Sequence, residues 1–324
     1  MSDSWHRVLS KLLEPGVAIP GLLGIALLVL VFSLADVPKV VEYIRRLSLA
    51  SLAVIFVLTL TYLGLKWIQF HLYLKKIPLR VTWRQSILAF LVGEMTLAVP
   101  AGMYAENYVL RRIAGADFSR SSAATTAILI TEAGFSILAV GIIGIPGWEW
   151  LRPAAAGLLV GFVAVGMGLI LSPPLRELGE VVLTFGPMRQ VGPELIETSE
   201  SLRDLFVPRI AVRAFLLCAC YLLALAASFY EVARGMGIAG LNFVQATSIY
   251  LFSIAVVEVL PISSHLGVIE AGGVSAAQAW GYSWTEGLAM MLGVRLTWTG
   301  ATWLVGLITM ALLRGEFRRP DEDS

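Results

Sequence analysis

The sequence predicts an all-α protein, a polytopic transmembrane helix bundle of about six full spans with two broken or re-entrant helical hairpins. Three observations predict it. Of the 324 residues, 57% are hydrophobic and only 15% charged, too apolar for a soluble chain of this length. The apolar residues fall in runs of roughly 20, the length that crosses the hydrocarbon core of a bilayer. Two of those runs are interrupted by proline, glycine and carboxylates, a pattern that survives at membrane depth only inside protein or beside a watery cavity. The formal net charge of +1 comes without a basic domain, so nothing points to nucleic acid.

The chain begins with a polar, mildly basic leader carrying Arg7 and Lys11, followed by an apolar run from Val17 to Ala35. That run exceeds the ~7–15-residue apolar core of a signal peptide, and it is read as a retained first span. A second span is expected from about Ser48 to Leu74. Lys66, Trp67, His71, Tyr73, Lys75 and Lys76 give its end the aromatic and basic mixture of a membrane interface, where side chains snorkel. The first broken segment, Ser86 to Arg112, carries Glu94, Pro100, Gly102 and Glu106.

Ser121 to Ile145 reads as a clean span except for Glu132, which falls about halfway along. A lone carboxylate there costs on the order of 2–3 kcal/mol even on the lenient insertion scale, so it should face a partner or a cavity. Ala154 to Leu171 spans again, rich in small residues that permit close helix packing. About 173–208 is expected to be a cytoplasmic surface loop. It holds a short helix from Pro193 to Phe206, whose leucines face either the interface or the bundle. Arg209 to Arg234 forms the next span; Cys218 and Cys220 lie within it, two apart on a helix and therefore pointing apart.

The second broken segment runs from about Val244 to Ala279. At its centre stands EVLPISSHLGVIEAGG, with Glu258, Pro261, Ser263, Ser264, His265, Gly267 and Glu270. The last span, about Thr285 to Leu313, contains Arg295. Arg295 sits ~15 Å from the helix start, too deep for easy snorkelling, and wants a carboxylate from among Glu270, Glu258 and Glu132.

Two Pro/Gly-interrupted apolar segments, one in each half of the chain, are the sequence pointer to a substrate site built between repeats. The expected cavity residues are Glu94, Pro100, Gly102, Glu106, Glu132, Glu258, Pro261, Ser263, Ser264, His265, Gly267, Glu270 and Arg295. No catalytic constellation, metal-ligand spacing or cofactor motif is expected: His6, His71 and His265 are the three histidines, and they show no ligand spacing. The basic loops 75–84, 111–120, 172–209 and 314–319 should share the cytoplasmic side. Both termini, including the tail 314–324, then lie in the cytoplasm, and 36–47 with Lys39, Arg45 and Arg46 is the exception on the far side.

The two broken segments resemble the membrane domain of the lysylphosphatidylglycerol synthase-like, or flippase-like, family of bacterial inner-membrane proteins. The resemblance rests on Leu266-Gly267-Val268-Ile269-Glu270 with Arg295, and on Pro100, Gly102, Glu106, Leu110-Arg111-Arg112 and Glu132. Departures are Ser263-Ser264-His265, where the family tends to have Pro-Gly-Gly, and Ala105, where it tends to have Gly. The resemblance implies a single integral membrane domain; family members that synthesise aminoacylated lipid carry a soluble transferase after it, where this sequence has a short arginine-rich and acidic tail, so that activity is not expected here. It also implies movement of a lipid or lipid-linked headgroup between leaflets, with phospholipid, hopanoid or glycolipid intermediates as partners. A small-solute or ion-coupled transporter stands beside that reading. So does a non-catalytic partner of a lipid-biosynthesis enzyme, or a homo-oligomer.

Overall fold

The computed structural model describes residues 15–97, 102–171, 192–259 and 267–317. They are helical, with no strand among them. In chain order the helices are α1 (Pro15–Leu34), α2 (Val37–Arg45), α3 (Leu49–Leu74), α4 (Trp83–Thr96), α5 (Ala105–Ala114), α6 (Phe118–Ile143) and α7 (Leu151–Leu171). There follow α8 (Gly192–Leu205), α9 (Pro208–Gly235), α10 (Phe243–Val259), α11 (Val268–Ala279) and α12 (Trp284–Leu312). Single 3-10 turns precede α5 and follow α12.

The long helices start where the sequence supplies caps. Ser48 accepts from the Ser51 amide at the head of α3, and Asp117 from Arg120 at the head of α6. Thr82 with Gln85, and Ser283 with Glu286, form reciprocal capping boxes on α4 and α12. Each cap satisfies amides that the first turn would otherwise leave unpaired. Among the described residues, four helices, α3, α6, α9 and α12, are long and apolar enough to cross a membrane. A continuous buried core joins them, with Phe70, Tyr73, Phe90, Tyr221 and Phe229 almost fully enclosed.

Both broken segments fold back on themselves. In the first, Gln85 at the start of α4 donates to the carbonyl of Ile113 at the end of α5, 3.3 Å away, while Gly93 packs on Glu106. In the second, Tyr282 just beyond α11 donates to Gln245 near the start of α10 at 3.3 Å, while Gly272 lies on Ser253. The legs α4, α5 and α11, at 14, 10 and 12 residues, are only ~15–21 Å long, and α10, at 17 residues, ~25 Å, each shorter than a ~30 Å hydrocarbon core.

The hairpins enter from opposite ends. At one end Arg84 lies 3.9 Å from Glu316, and Thr198 donates to the Ser119 carbonyl at 3.0 Å. These contacts place the turns 75–82 and 115–117, helix α8 and the end of α12 together. At the other end the Asp36 amide donates to Thr285 at 3.1 Å, and Ser248 to the Gly144 carbonyl at 2.8 Å. The first hairpin rises from the first end and the second from the other. The segment 36–47 falls at this second end as a nine-residue amphipathic helix against α12, with Lys39 and Arg46 paired to Asp36 and Glu42. Leu205 of α8 is fully buried, so that helix packs on the bundle. Most of 173–208, and all of 318–324, lie outside the described residues.

Glycine notches seat the last span. Met291 of α12 fills the space that a side chain at Gly273 of α11 would need. Met236, just after α9, does the same at Gly293, and Met95 of α4 at Gly306. Small residues thus bring these helices close, as membrane bundles commonly require.

Candidate functional site

A cavity of about 100 Å³ lies where the two hairpins approach each other. The first hairpin lines it with Glu94, Met95 and Leu97, the second with Val257, Glu258 and Ile269. Spans α3, α6 and α12 add Tyr62, Lys66, Glu132, Arg295 and Trp298. Five ionisable side chains of both signs therefore face one small space at mid-depth, where isolated charges are least tolerated.

Lys66 is the centre of this arrangement. Its Nζ lies 3.1 Å from Glu94 Oε1 and 3.0 Å from Glu132 Oε1, and donates to the Tyr62 hydroxyl at 3.0 Å. All three ammonium donors are thereby directed at oxygen. Tyr62 in turn donates to Glu94 Oε2 at 2.7 Å, closing a ring of interactions. The ammonium also stands 5.4 Å from the centre of the Tyr62 ring and 6.0 Å from that of Tyr221, within reach of cation–π attraction. Lys66 and Tyr62 meet because they are four apart on one face of α3.

This corrects the reading of Lys66 as an interfacial, snorkelling residue: it is 8% exposed. Eight residues separate it from the helix end at Leu74, ~12 Å by helical rise, and that depth was the available signal. His71 does lie near the helix end, sharing Ser86 Oγ at 2.9 Å and stacking on Trp67.

The second charged pair joins Arg295 to Glu270, whose Oε1 accepts from the guanidinium. Glu270 is 1% exposed and performs a second task. Its Oε2 accepts from the Gly267 amide at 2.7 Å, holding the first turn of α11. Gly267 has φ +83, a left-handed conformation that disfavours a side chain. Of the three candidate carboxylates, Glu270 is therefore the partner of Arg295, Glu132 belongs to Lys66, and Glu258 lines the cavity beside them.

Other expected cavity residues are placed differently. Glu106 lies behind the wall, bonded to Thr125 and packed on Gly93, and does not line the cavity. Gly102 packs on the Thr96 carbonyl, where a side chain would collide. Glu270 and Gly267 form the support for Arg295 and are likewise not lining residues. Pro100, Pro261, Ser263, Ser264 and His265 lie outside the described residues. Besides Lys66, the sequence reading missed Tyr62, Tyr250 and Trp298 as lining residues, because aromatics in an apolar span carry no distinguishing mark.

On the opposite face of α10 is a groove of about 260 Å³, bounded by α6, α7 and α10 and lined only by apolar residues such as Ile137, Ala155 and Val256. One helix thus has charged groups on one side and a hydrocarbon-like surface on the other.

Residues 17–308 match the family model described as the lysylphosphatidylglycerol synthase TM region. The chain belongs to this family. The match takes in both hairpins and every residue of the cavity, and connects this lysylphosphatidylglycerol synthase TM-region protein with lipid modification or translocation. Comparison with curated proteins found no match.

Proposed function

We propose that this protein is flippase-like: it shelters the headgroup of a lipid or lipid-linked molecule in the cavity between the hairpins while the headgroup passes between leaflets. The observation that carries the reading is the cavity where a carboxylate from each of two hairpins from opposite ends, Glu94 and Glu258, meets Lys66, Glu132 and Arg295 from the spans. Lys66 and Arg295 suit phosphate or another anionic group, and the carboxylates suit hydroxyl or ammonium groups. The apolar groove behind α10 supports the same reading, since an amphipathic cargo needs hydrocarbon contact beside its polar site.

The test is leaflet exchange of labelled phospholipid, hopanoid and glycolipid in liposomes containing the purified protein. Exchange of at least one lipid above protein-free liposomes, abolished by Glu94→Gln with Glu132→Gln in a protein that still folds, is the expected result. Equal exchange by wild type and variant overturns the reading.

We further infer a bacterial inner-membrane location, with the end bearing Lys75, Lys76, Arg80, Arg84, Arg111 and Arg112 in the cytoplasm, together with both termini. Single cysteines at Lys76 and Glu149, both exposed and at opposite ends, check this in a background lacking Cys218 and Cys220. An impermeant thiol reagent applied to whole cells should label position 149 and spare 76. The reverse pattern overturns the orientation.

A further inference from the structure

We propose that Glu106, Asn107 and Thr125 form a binding site for a monovalent alkali cation, with Na⁺ the expected ion, behind the wall of the cavity. The inference stands on the geometry of this cluster and does not require the lipid reading above.

The cluster joins α5 to α6. Glu106 is 6% exposed, Thr125 4% and Asn107 0%. Thr125 Oγ1 donates to Glu106 Oε1 at 2.5 Å and accepts from Asn107 Nδ2 at 2.9 Å. Those bonds use the hydroxyl proton and the amide nitrogen. The amide oxygen of Asn107 is left buried without a partner, and so is the hydroxyl of Ser122, one turn before Thr125 on the same helix. A buried, unpartnered carbonyl oxygen is unfavourable, and native structures rarely leave one.

The surroundings are rich in acceptors. The Glu106 carboxylate presses on Gly93, where a side chain would collide with it. Gly93 stands in the last turn of α4, which ends at Thr96. That helix end carries partial negative charge, although its Val92 and Gly93 carbonyls already accept from the Thr96 hydroxyl. Among the described residues no lysine or arginine pairs with Glu106, in contrast to Glu94, Glu132 and Glu270. A buried carboxylate must be neutralised. A proton does that for Glu106 alone, whereas a cation serves the carboxylate, the Asn107 oxygen and the Thr125 hydroxyl together.

The chemistry of the donors selects the ion. They are hard oxygens from one carboxylate, one amide and one hydroxyl, without sulfur or imidazole, which excludes a soft transition metal. A single negative charge suits a monovalent ion better than Ca²⁺, whose sites gather several carboxylates. Ends of interrupted helices are where membrane proteins coordinate Na⁺. An ion here ties a leg of the first hairpin to the span that carries Glu132.

The experiment is a melting series on the purified full-length protein, with NaCl replaced stepwise by KCl or choline chloride at constant ionic strength. The expected result is a saturable rise in Tm with Na⁺ and none with choline. Glu106→Gln should abolish the rise, and Asn107→Ala should raise the apparent Kd about tenfold or more. Direct binding of radioactive Na⁺ to wild type, Asn107→Ala and Thr125→Val decides the matter if Glu106→Gln does not fold. A wild-type Tm indifferent to cation identity overturns the proposal, as does an unchanged Na⁺ response in Glu106→Gln. A Tm that follows pH identically in sodium and choline assigns a proton to the cluster, and also overturns it. Loss of leaflet exchange with an intact Na⁺ response removes the lipid reading and leaves the ion site standing.

Discussion

Lys66→Met should be among the most destabilising single substitutions in the protein, at about 3–5 kcal/mol, because it removes one partner from a buried ionic cluster and leaves the others uncompensated. Lys66 holds Glu94 and Glu132 and is also bonded to Tyr62. Without it two carboxylates face each other across a space from which the cation has gone. Adding Glu94→Gln and Glu132→Gln to Lys66→Met should recover a large part of the loss, because the three changes together remove the imbalance. Thermal unfolding in detergent measures all of these. Equal stability of Lys66→Met and wild type would falsify the cluster as a source of stability.

The second large effect concerns the other pair, and it is asymmetric. Glu270→Ala should cost more than Arg295→Met. Removing the carboxylate strands a guanidinium that stays protonated in proteins, whereas removing the arginine leaves a glutamate that a proton can neutralise. Glu270 also accepts from the Gly267 amide, so the alanine variant loses the start of α11 as well. We expect about 3–5 kcal/mol for Glu270→Ala and clearly less for Arg295→Met. Glu270→Gln, which keeps an oxygen for Gly267, should fall between them. If the order of the alanine and methionine variants is reversed, the cap at Gly267 contributes little and Arg295 has another neutralising partner.

The fold was legible because lipid is an unforgiving solvent. Pro100 with Gly102, and Pro261 with Gly267, mark positions where a helix cannot continue, and short polar interruptions in apolar runs admit few structures besides hairpins. Pairing of Arg295 was legible for the same reason: a fixed charge inside a span needs a partner. Lys66 was hidden by its neighbours, since Trp67, Lys75 and Lys76 give the end of α3 the composition of an interface. The sorting of the carboxylates was also beyond reach. Glu94 and Glu106 both stand beside the first break, yet one faces the cavity and the other the back of its own hairpin. That difference depends on the rotation of two short legs about their axes, which the packing of Gly93 fixes and no periodicity of so few residues reveals.

The three glycine notches that receive Met291, Met236 and Met95 also determine how closely the last span is held. Two of them lie on α12, the helix that carries Arg295, and the third takes a methionine from it. A methionine knob is unbranched, turns about three bonds and is soft enough to reshape its contacts. A leucine or isoleucine would have to leave its notch as soon as the helix slid. Each seat of α12 against α4, α9 and α11 is therefore filled by a side chain that tolerates small differences in helix spacing better than a branched one would.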